Sequence, residues 1–303
     1  MREIHINTAN HGGRATTLSD LIDWLWAGCE ELGLKLSASD RLFRADVPNI
    51  IFEFQNSGFK PFLEAHRGKI NLICFVTEVI ADDKFDDAHG AWDGRRRYAD
   101  FLSIAEHYKG FITSVPSNVE ALRKIAPATY FELGYTELLA NPVAPSAWRH
   151  DFSFSGALTP HRRRFLEAVA GKVDLQTPGV NLAQNTAVAL PPADYIDLIR
   201  YSAVHVCLKQ HPDWAMPPQT RLARIGHARV GCAAEATSMV TRQSQLFPTF
   251  TSPEDFLARF GHLGRDRAAA FAQAQEIAAN YRTQLPHKAE IERNFDECPA
   301  LGA

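Results

Sequence analysis

The stretch HDFSFSGALTPHRRRFLEAVAG, His150 to Gly171, reads as a fresh start in mid-chain. Phe152 and Phe154 alternate with serines as in a strand, and Gly156 permits a tight turn. Thr159 followed by Pro160 is an N-cap with proline at the first helical position. Strand, glycine turn and helix therefore follow one another. A helix N-terminus offers unpaired N–H groups and a partial positive charge, and His161, Arg162, Arg163 and Arg164 fill this one's first turn. Positive side chains there oppose the helix dipole, so they ask for an anion such as a diphosphate; the competing reading is a solvated basic turn that binds nothing.

Downstream the alternation continues. KVDLQT and TAVALP read as short strands, PPADYIDLIRYS as a helix and AVHVCLKQ, Ala203 to Gln210, as a buried strand. PPQTRLARIGHARVGC, from Pro217, is a helix opened by proline, with a short strand expected at Thr237 to Val240. Ser252 caps a helix in SPEDFLARF, and the alanine-rich DRAAAFAQAQEIAANYRTQL closes with an apolar stripe that has to pack on a domain and can cross back to the first.

Upstream lies a second alternation. EIHIN is a strand, NTANHGG a loop, and Leu18, Leu21, Ile22, Leu25, Cys29 and Leu32 recur at helical spacing, with Thr17 and Asp20 as a capping box and Gly33 as the stop. LKLSAS and NIIFEF are further strands. The near-continuous apolar run from Ile70 to Val76 in KINLICFVTE suits a central parallel strand covered on both faces. Ala81 to Phe101 is charge-dense and reads as a surface excursion, with Arg95, Arg96 and Arg97 as a solvated face. GFITSV, a helix capped at Ser117 and TYFELG complete this half. Asn141 to His150, with two prolines and no periodicity, is the expected linker. The domains so read are 1–143, 150–267 and a helical segment 268–303, and alternating strands and helices imply mostly parallel sheets.

The chain has 303 residues, enough for two cores, with 46% hydrophobic and 22% charged residues and a net charge of -3. That charge argues against generic nucleic-acid binding, so any basic site is local. Cys29, Cys74, Cys207, Cys232 and Cys298 show neither paired nor metal-ligand spacing, which suggests reduced thiols in a cytoplasmic protein, buried except for Cys298. No apolar run approaches the length of a membrane span, and no metal site is expected. GxGxxG, Walker A, GxSxG and HExxH are absent, which weakens dehydrogenase, kinase, hydrolase and metallohydrolase readings.

FSFSGALTPHRRR, Phe152 to Arg164, and PPQTRLARIGHARVGCAAEATS, Pro217 to Ser238, carry a resemblance. A phenylalanine-rich strand ending in glycine with arginine soon after it, then a helix carrying an arginine before a loop of short residues, resembles the two-Rossmann-domain (GT-B) glycosyltransferases. Within them it resembles the bacterial spore-protein-type glycosyltransferase-like group. The resemblance implies an α/β fold of two Rossmann-like domains facing a central cleft. It also implies a metal-independent transferase that uses a nucleotide-sugar donor, held mostly by the second domain, and an unidentified acceptor. It implies no other cofactor. Members often carry an acidic residue near the start of the later helix, where this chain has Gln219, Thr220 and Arg221; Glu235 is the alternative carboxylate. A nucleotide-sugar epimerase of the same fold and a non-catalytic nucleotide- or sugar-binding protein are the rival readings.

Ligands of open α/β sheets collect at the carboxyl ends of the strands. In the second half this rule, with the helix starts, selects Gly156, Thr159, Arg162, Arg163, Lys209, Thr220 and Arg221 for the donor, with the inward-facing member of Arg162, Arg163 and Arg164 open. In the first half it selects His11, before Gly12 and Gly13, and Glu78. His11 titrates near neutral pH and is the favoured general base; Glu78 is a second base, an orienting group or an ordinary loop carboxylate.

Overall fold

The computed structural model describes residues 3–8, 18–40, 43–52, 57–85 and 93–302. They form two compact units: Met1–Glu132 together with Lys288–Ala303, and Leu133–His287.

In the first unit six parallel strands stand in the order β2-β1-β3-β4-β7-β8. These are β1 (Glu3–Asn7), β2 (Lys35–Ser39), β3 (Pro48–Phe52), β4 (Asn71–Val76), β7 (Gly110–Thr113) and β8 (Ala128–Tyr130). Helices α1 (Ser19–Glu31), α2 (Lys60–Ala65), α3 (Gly94–Ala105) and α4 (Asn118–Arg123) connect them, and β5 (Ile80–Ala81) with β6 (Lys84–Phe85) makes a small hairpin after β4. Ile73, Cys74, Phe75 and Val76 of β4 are all fully buried, as an apolar run between two helical layers requires.

Part of the expected surface excursion is helix. Asp93 caps α3 by accepting from the Arg96 N–H at 3.0 Å, and Phe101, Ile104 and Ala105 face the core. Gly94 sits where a Cβ would come within 2.1 Å of the Phe85 carbonyl oxygen, so only glycine lets α3 start against the hairpin. The apolar period begins four residues after the arginines, which is why the charged start conceals it. Ser117 precedes α4 in helical backbone and makes no capping bond. Cys298 is buried like the other four cysteines: its sulfur would lie 2.4 Å from a Cβ at Gly110.

In the second unit β9 (His150–Ser153), β10 (Leu175–Gln176), β13 (Ser202–Cys207), β14 (Gly231–Glu235) and β15 (Thr249–Phe250) form a parallel sheet in the order β10-β9-β13-β14-β15. Helices α5 (Pro160–Val169), α6 (Pro192–Arg200), α7 (Gln219–Ala228), α8 (Pro253–Phe260) and α9 (Arg267–Gln284) accompany it, and β11 (Val180–Asn181) pairs with β12 (Thr186–Ala187) apart from the main sheet. The expected strand at Thr237 to Val240 is replaced by β14. Arg229, left-handed at φ 51°, ends α7 early, and Gly231 lets β14 approach the Ala203 carbonyl.

The two sheets wind alike. In each, the first strand is flanked by the second and third, so the order reverses between β1 and β3 and between β9 and β13.

The units divide at Glu132/Leu133 and His287/Lys288, whereas the composition points to 143–150 and 267/268. Tertiary bonds account for the difference. The Tyr135 N–H donates to the Leu285 carbonyl at 2.7 Å, the His287 N–H to Tyr135 at 2.9 Å, and the Asn141 N–H to His227 at 3.2 Å, which ties the proline-bearing segment into the second unit. Helix α9 buries Ala270, Ala274, Ile277 and Tyr281 there. The rest of α10 (His287–Glu297) belongs to the first unit, where Asn294 donates to Thr129 and Arg293 to the Tyr130 carbonyl, each at 2.8 Å.

His227 is fully buried; its Nδ1 bonds the Ala223 carbonyl at 2.7 Å and its Nε2 accepts the Thr136 N–H at 3.1 Å. Burial pushes it down to about 3 from an ordinary 6.5. Between those values the unfolded chain takes up a proton that the folded chain refuses, so stability is full above pH 6.5 and falls as pH drops. At pH 5 this single residue is expected to remove about 2 kcal/mol. Urea titrations at pH 7.5 and pH 5 should show a smaller acid loss in His227→Gln than in the wild type.

Candidate functional site

The strand order reverses between β9 and β13, and at such a reversal doubly wound sheets have a crevice, at the carboxyl ends of the strands, where ligands are held. The chain leaves β9 through Phe154, Ser155 and Gly156. Gly156 has φ 141°, and an added Cβ would lie 3.0 Å from Arg162 Nη1 and 3.3 Å from Arg221 Nη2. Two guanidiniums from the first turns of α5 and α7 thus converge on a residue without a side chain. Ser155, only 5% exposed, adds a buried hydroxyl with no hydrogen-bond partner among the described residues.

Helix α5 starts as its sequence indicates, Thr159 accepting the Arg162 N–H at 3.3 Å with Pro160 at the first position. Thr159 also donates to the Gln210 carbonyl beyond β13. Of the three arginines, Arg162 turns inward. Its Nε donates to the Lys209 carbonyl at 3.0 Å, Nη1 to Ala157 at 3.0 Å and Nη2 to Leu208 at 2.9 Å. Burial, then the Arg221 charge, pushes Arg162 down to about 9. Arg163 lies on the helix flank, paired with Glu167 at 2.7 Å, and Arg164 is exposed.

Glu235, at the end of β14 and 8% exposed, gathers the polar residues around this crevice. It accepts from His161 Nε2 at 2.8 and 3.0 Å and from the Lys209 N–H at 2.9 Å. The Lys209 ammonium donates to the Pro212 carbonyl at 2.9 Å and stands 3.7 Å from Glu235. Thr220 is half-buried in the first turn of α7, beside Arg221. His205 is interior, bonded to Ser153 Oγ at 2.7 Å. Sequence reasoning underrates Glu235 and His161; the signal for them is that both lie at element ends on the rim where strands stop.

In the first unit Glu78 follows β4. Asn118, fully buried, fixes its loop by donating to the Glu78 carbonyl at 2.7 Å and accepting from the Ile80 N–H at 2.8 Å. Arg97 pairs with Glu78 Oε1, so this arginine of the supposed solvated face is engaged; Oε2 is buried without a hydrogen-bond partner among the described residues. His11 lies outside the described residues. Among the described residues no three His, Cys, Asp or Glu side chains gather as a metal would require, and no helix is long and apolar enough to cross a membrane.

No protein-family model matches the sequence, and no curated protein is detectably similar to it. Solved structures do resemble it. T4 phage beta-glucosyltransferase aligns over 98% of this chain and 99% of its own, with a TM-score of 0.58 and 11% identity. AviGT4, a glycosyltransferase of avilamycin A biosynthesis, aligns over 100% and 99%, with 0.52 and 10%. TarM of S. aureus aligns over 93% and 59%, with 0.53 and 9%. The phage enzyme has been solved with UDP-glucose and with UDP and Mn2+. At these identities the likeness defines the fold, which is GT-B: two Rossmann-like units.

The three carbonyls held by Arg162 make it a structural clamp as well as a candidate donor contact. Arg162→Ala is expected to cost about 3 kcal/mol or more in urea unfolding, since it breaks three charge-assisted bonds, the one to Leu208 fully buried. Arg163→Ala, which loses a half-exposed pair, should stay within about 0.5 kcal/mol of wild type.

Proposed function

We propose that the protein is a glycosyltransferase that moves a sugar from a nucleotide-activated donor to an acceptor hydroxyl, and that the unit Leu133–His287 holds the donor diphosphate. The observation that carries this reading is the convergence of Arg162 and Arg221 on Gly156 at the order reversal of the sheet. A glycine there lets a phosphate approach the backbone, and the guanidiniums supply charge and directional donors.

The chemistry follows from the charge. As the glycosidic bond breaks, negative charge grows on the departing diphosphate, and preorganised donors at that point stabilise the transition state more than the ground state. Arg221 and the Ser155 hydroxyl act on it directly. Arg162 holds the 157 and 208–209 carbonyls in place and lends its remaining N–H groups. Glu235, with His161 and Lys209, sets the neighbouring rim and offers a carboxylate to donor hydroxyls, the role left vacant at Gln219 to Arg221. With this charge the arginines take the part a metal would play, so transfer is expected to survive a chelator. Thr220 completes the donor side.

For the proton, His11 is the proposed base, on the sequence reading alone. Glu78, whose Oε1 is taken by Arg97, is assigned to orient the acceptor or His11 through its second oxygen. The narrower likeness to the spore-protein-type group rests on FSFSGALTPHRRR and PPQTRLARIGHARVGCAAEATS, and a cytoplasmic setting on the reduced cysteines.

The fold relatives solved with UDP make UDP-glucose the first donor to test. Arg221→Ala is expected to weaken its calorimetric affinity by about 1.5 to 3 kcal/mol, and Arg163→Ala to leave it unchanged. Equal affinity in Arg221→Ala and wild type would remove the crevice from the donor site. With an acceptor in hand, His11→Ala should lower turnover roughly 100-fold at little cost in donor affinity; unchanged turnover would reject His11 as the base.

A further inference from the structure

The amino end of the second unit's sheet carries a groove of its own. Lys172, His262, Arg265 and Arg267 line a space of about 720 Å³, together with the apolar Val173 and Leu257. A neighbouring hollow of about 270 Å³ shares Lys172, Val173, Gly261 and Arg265 with it and adds Asp151 and Asp174. The two run together as one concavity, basic in its larger part and acidic at its end.

Local sequence builds both parts. Gly171, left-handed at φ 72°, turns the chain after α5, so that Lys172 and Asp174 lead into β10. Strand β10 pairs with β9 in parallel, Leu175 opposite Phe152, and the Phe152 N–H donates to the Asp174 carbonyl at 3.1 Å, which sets Asp174 beside Asp151. The turn after α8 supplies the basic part. Its His262 carbonyl accepts the Arg265 and Asp266 N–H groups at 3.1 and 3.0 Å, Leu263 is buried, and a Cβ on Gly264 would come within 2.5 Å of the Phe152 ring. His262 and Arg265 are therefore mounted on a turn seated against the sheet.

The neighbouring charges leave these groups available. Among the described residues the side chains of Lys172, His262 and Arg265 make no hydrogen bond or ion pair, although the Lys172 charge acts on exposed Glu254 at the start of α8. Asp266 caps α9 through the Ala269 N–H at 2.9 Å, and Arg267 donates to the Trp148 carbonyl at 3.1 Å. Asp174 accepts from Gln176 through one oxygen at 2.8 Å, which leaves its other oxygen and the Asp151 carboxylate as acceptors. Cations gathered in a concave wall draw an anion, and carboxylates accept from hydroxyls. We propose that this concavity is a binding site for a phosphorylated saccharide, with its phosphate on Lys172, His262 and Arg265 and its hydroxyls on Asp151 and Asp174. A bare phosphate would leave the acidic end unused and a neutral sugar the basic one; a sugar phosphate satisfies both. The volume lies within the roughly 300 to 1,000 Å³ of small-molecule sites. Asp151 is at the opposite end of β9 from Gly156, so a saccharide held here is not the donor, and the site does not depend on the donor reading.

Glucose 6-phosphate serves as the probe, titrated calorimetrically into the whole protein at pH 7 and low salt, with inorganic phosphate and glucose as comparisons. It is expected to bind more tightly than either, and more weakly as salt is added. Lys172→Ala/Arg265→Ala should lower its affinity about tenfold or more. Asp151→Ala/Asp174→Ala should erase its advantage over inorganic phosphate, whereas a purely electrostatic surface would bind both anions better once the carboxylates are gone. Arg221→Ala, at the donor crevice, should bind it as wild type does. If a double variant does not fold, Arg265→Ala or Asp151→Ala alone, at a turn and a strand end, takes its place. Failure of glucose 6-phosphate to bind, or wild-type affinity in the Lys172/Arg265 variant, overturns the site. An undiminished preference for glucose 6-phosphate over phosphate in the aspartate variant overturns its assignment to a saccharide. Affinity lost in Arg221→Ala but kept in the Lys172/Arg265 variant puts the sugar phosphate at Gly156, which overturns the groove and leaves the donor crevice standing.

Discussion

The buried guanidinium of Arg162 is the contact on which the second unit's ligand end depends. It takes the carbonyls of Ala157, Leu208 and Lys209, joining the loop after β9 to the end of β13 across the order reversal of the sheet. A lysine in its place has the charge but not the planar fork that reaches three acceptors at once. Everything else at the crevice is arranged about that clamp: Thr159 ties α5 to Gln210, Phe154 places its ring 5.6 Å from the guanidinium, and Glu235 draws His161 and Lys209 to the adjoining rim. Gly156 keeps clear the space in which a side chain would meet both arginines.

The clamp also explains a division of labour among three consecutive arginines. On a helix, neighbours in sequence point about 100° apart, so one of the three can face the sheet while the others cannot. Arg162 does; Arg163 finds Glu167 one turn on, and Arg164 meets solvent. Like charges packed together cost energy unless something negative is near, and the Glu235 carboxylate lies close enough to act on Arg162.

Much of this is legible in the chain itself. The strand-glycine-helix reading at His150 to Gly171 needs only alternation, a glycine and an N-cap, and β4 announces itself by its apolar run, because both are local patterns. Three things are not local. The unit boundary escapes because prolines at 141–150 report the absence of periodicity, whereas the bonds from Tyr135 to Leu285 and His287 that assign the segment join residues about 150 positions apart. Strand β14 escapes because Gly231 to Glu235 has small side chains and no alternation; its strand character comes from pairing with β13 and β15. In the site, charge pairing hides the rest: nothing in Glu235 as a letter shows that it collects His161 and the Lys209 N–H.

The claim that the crevice at Gly156 is a diphosphate site is tested most directly by a crystal structure of the protein with UDP-glucose. The account predicts the diphosphate against the Gly156 backbone, with its oxygens at hydrogen-bond distance, about 3 Å, from Arg221 and the Ser155 hydroxyl. A nucleotide seated instead in the groove of about 720 Å³ formed by Lys172, Leu257, His262 and Arg265, with the Gly156 crevice empty, would contradict it.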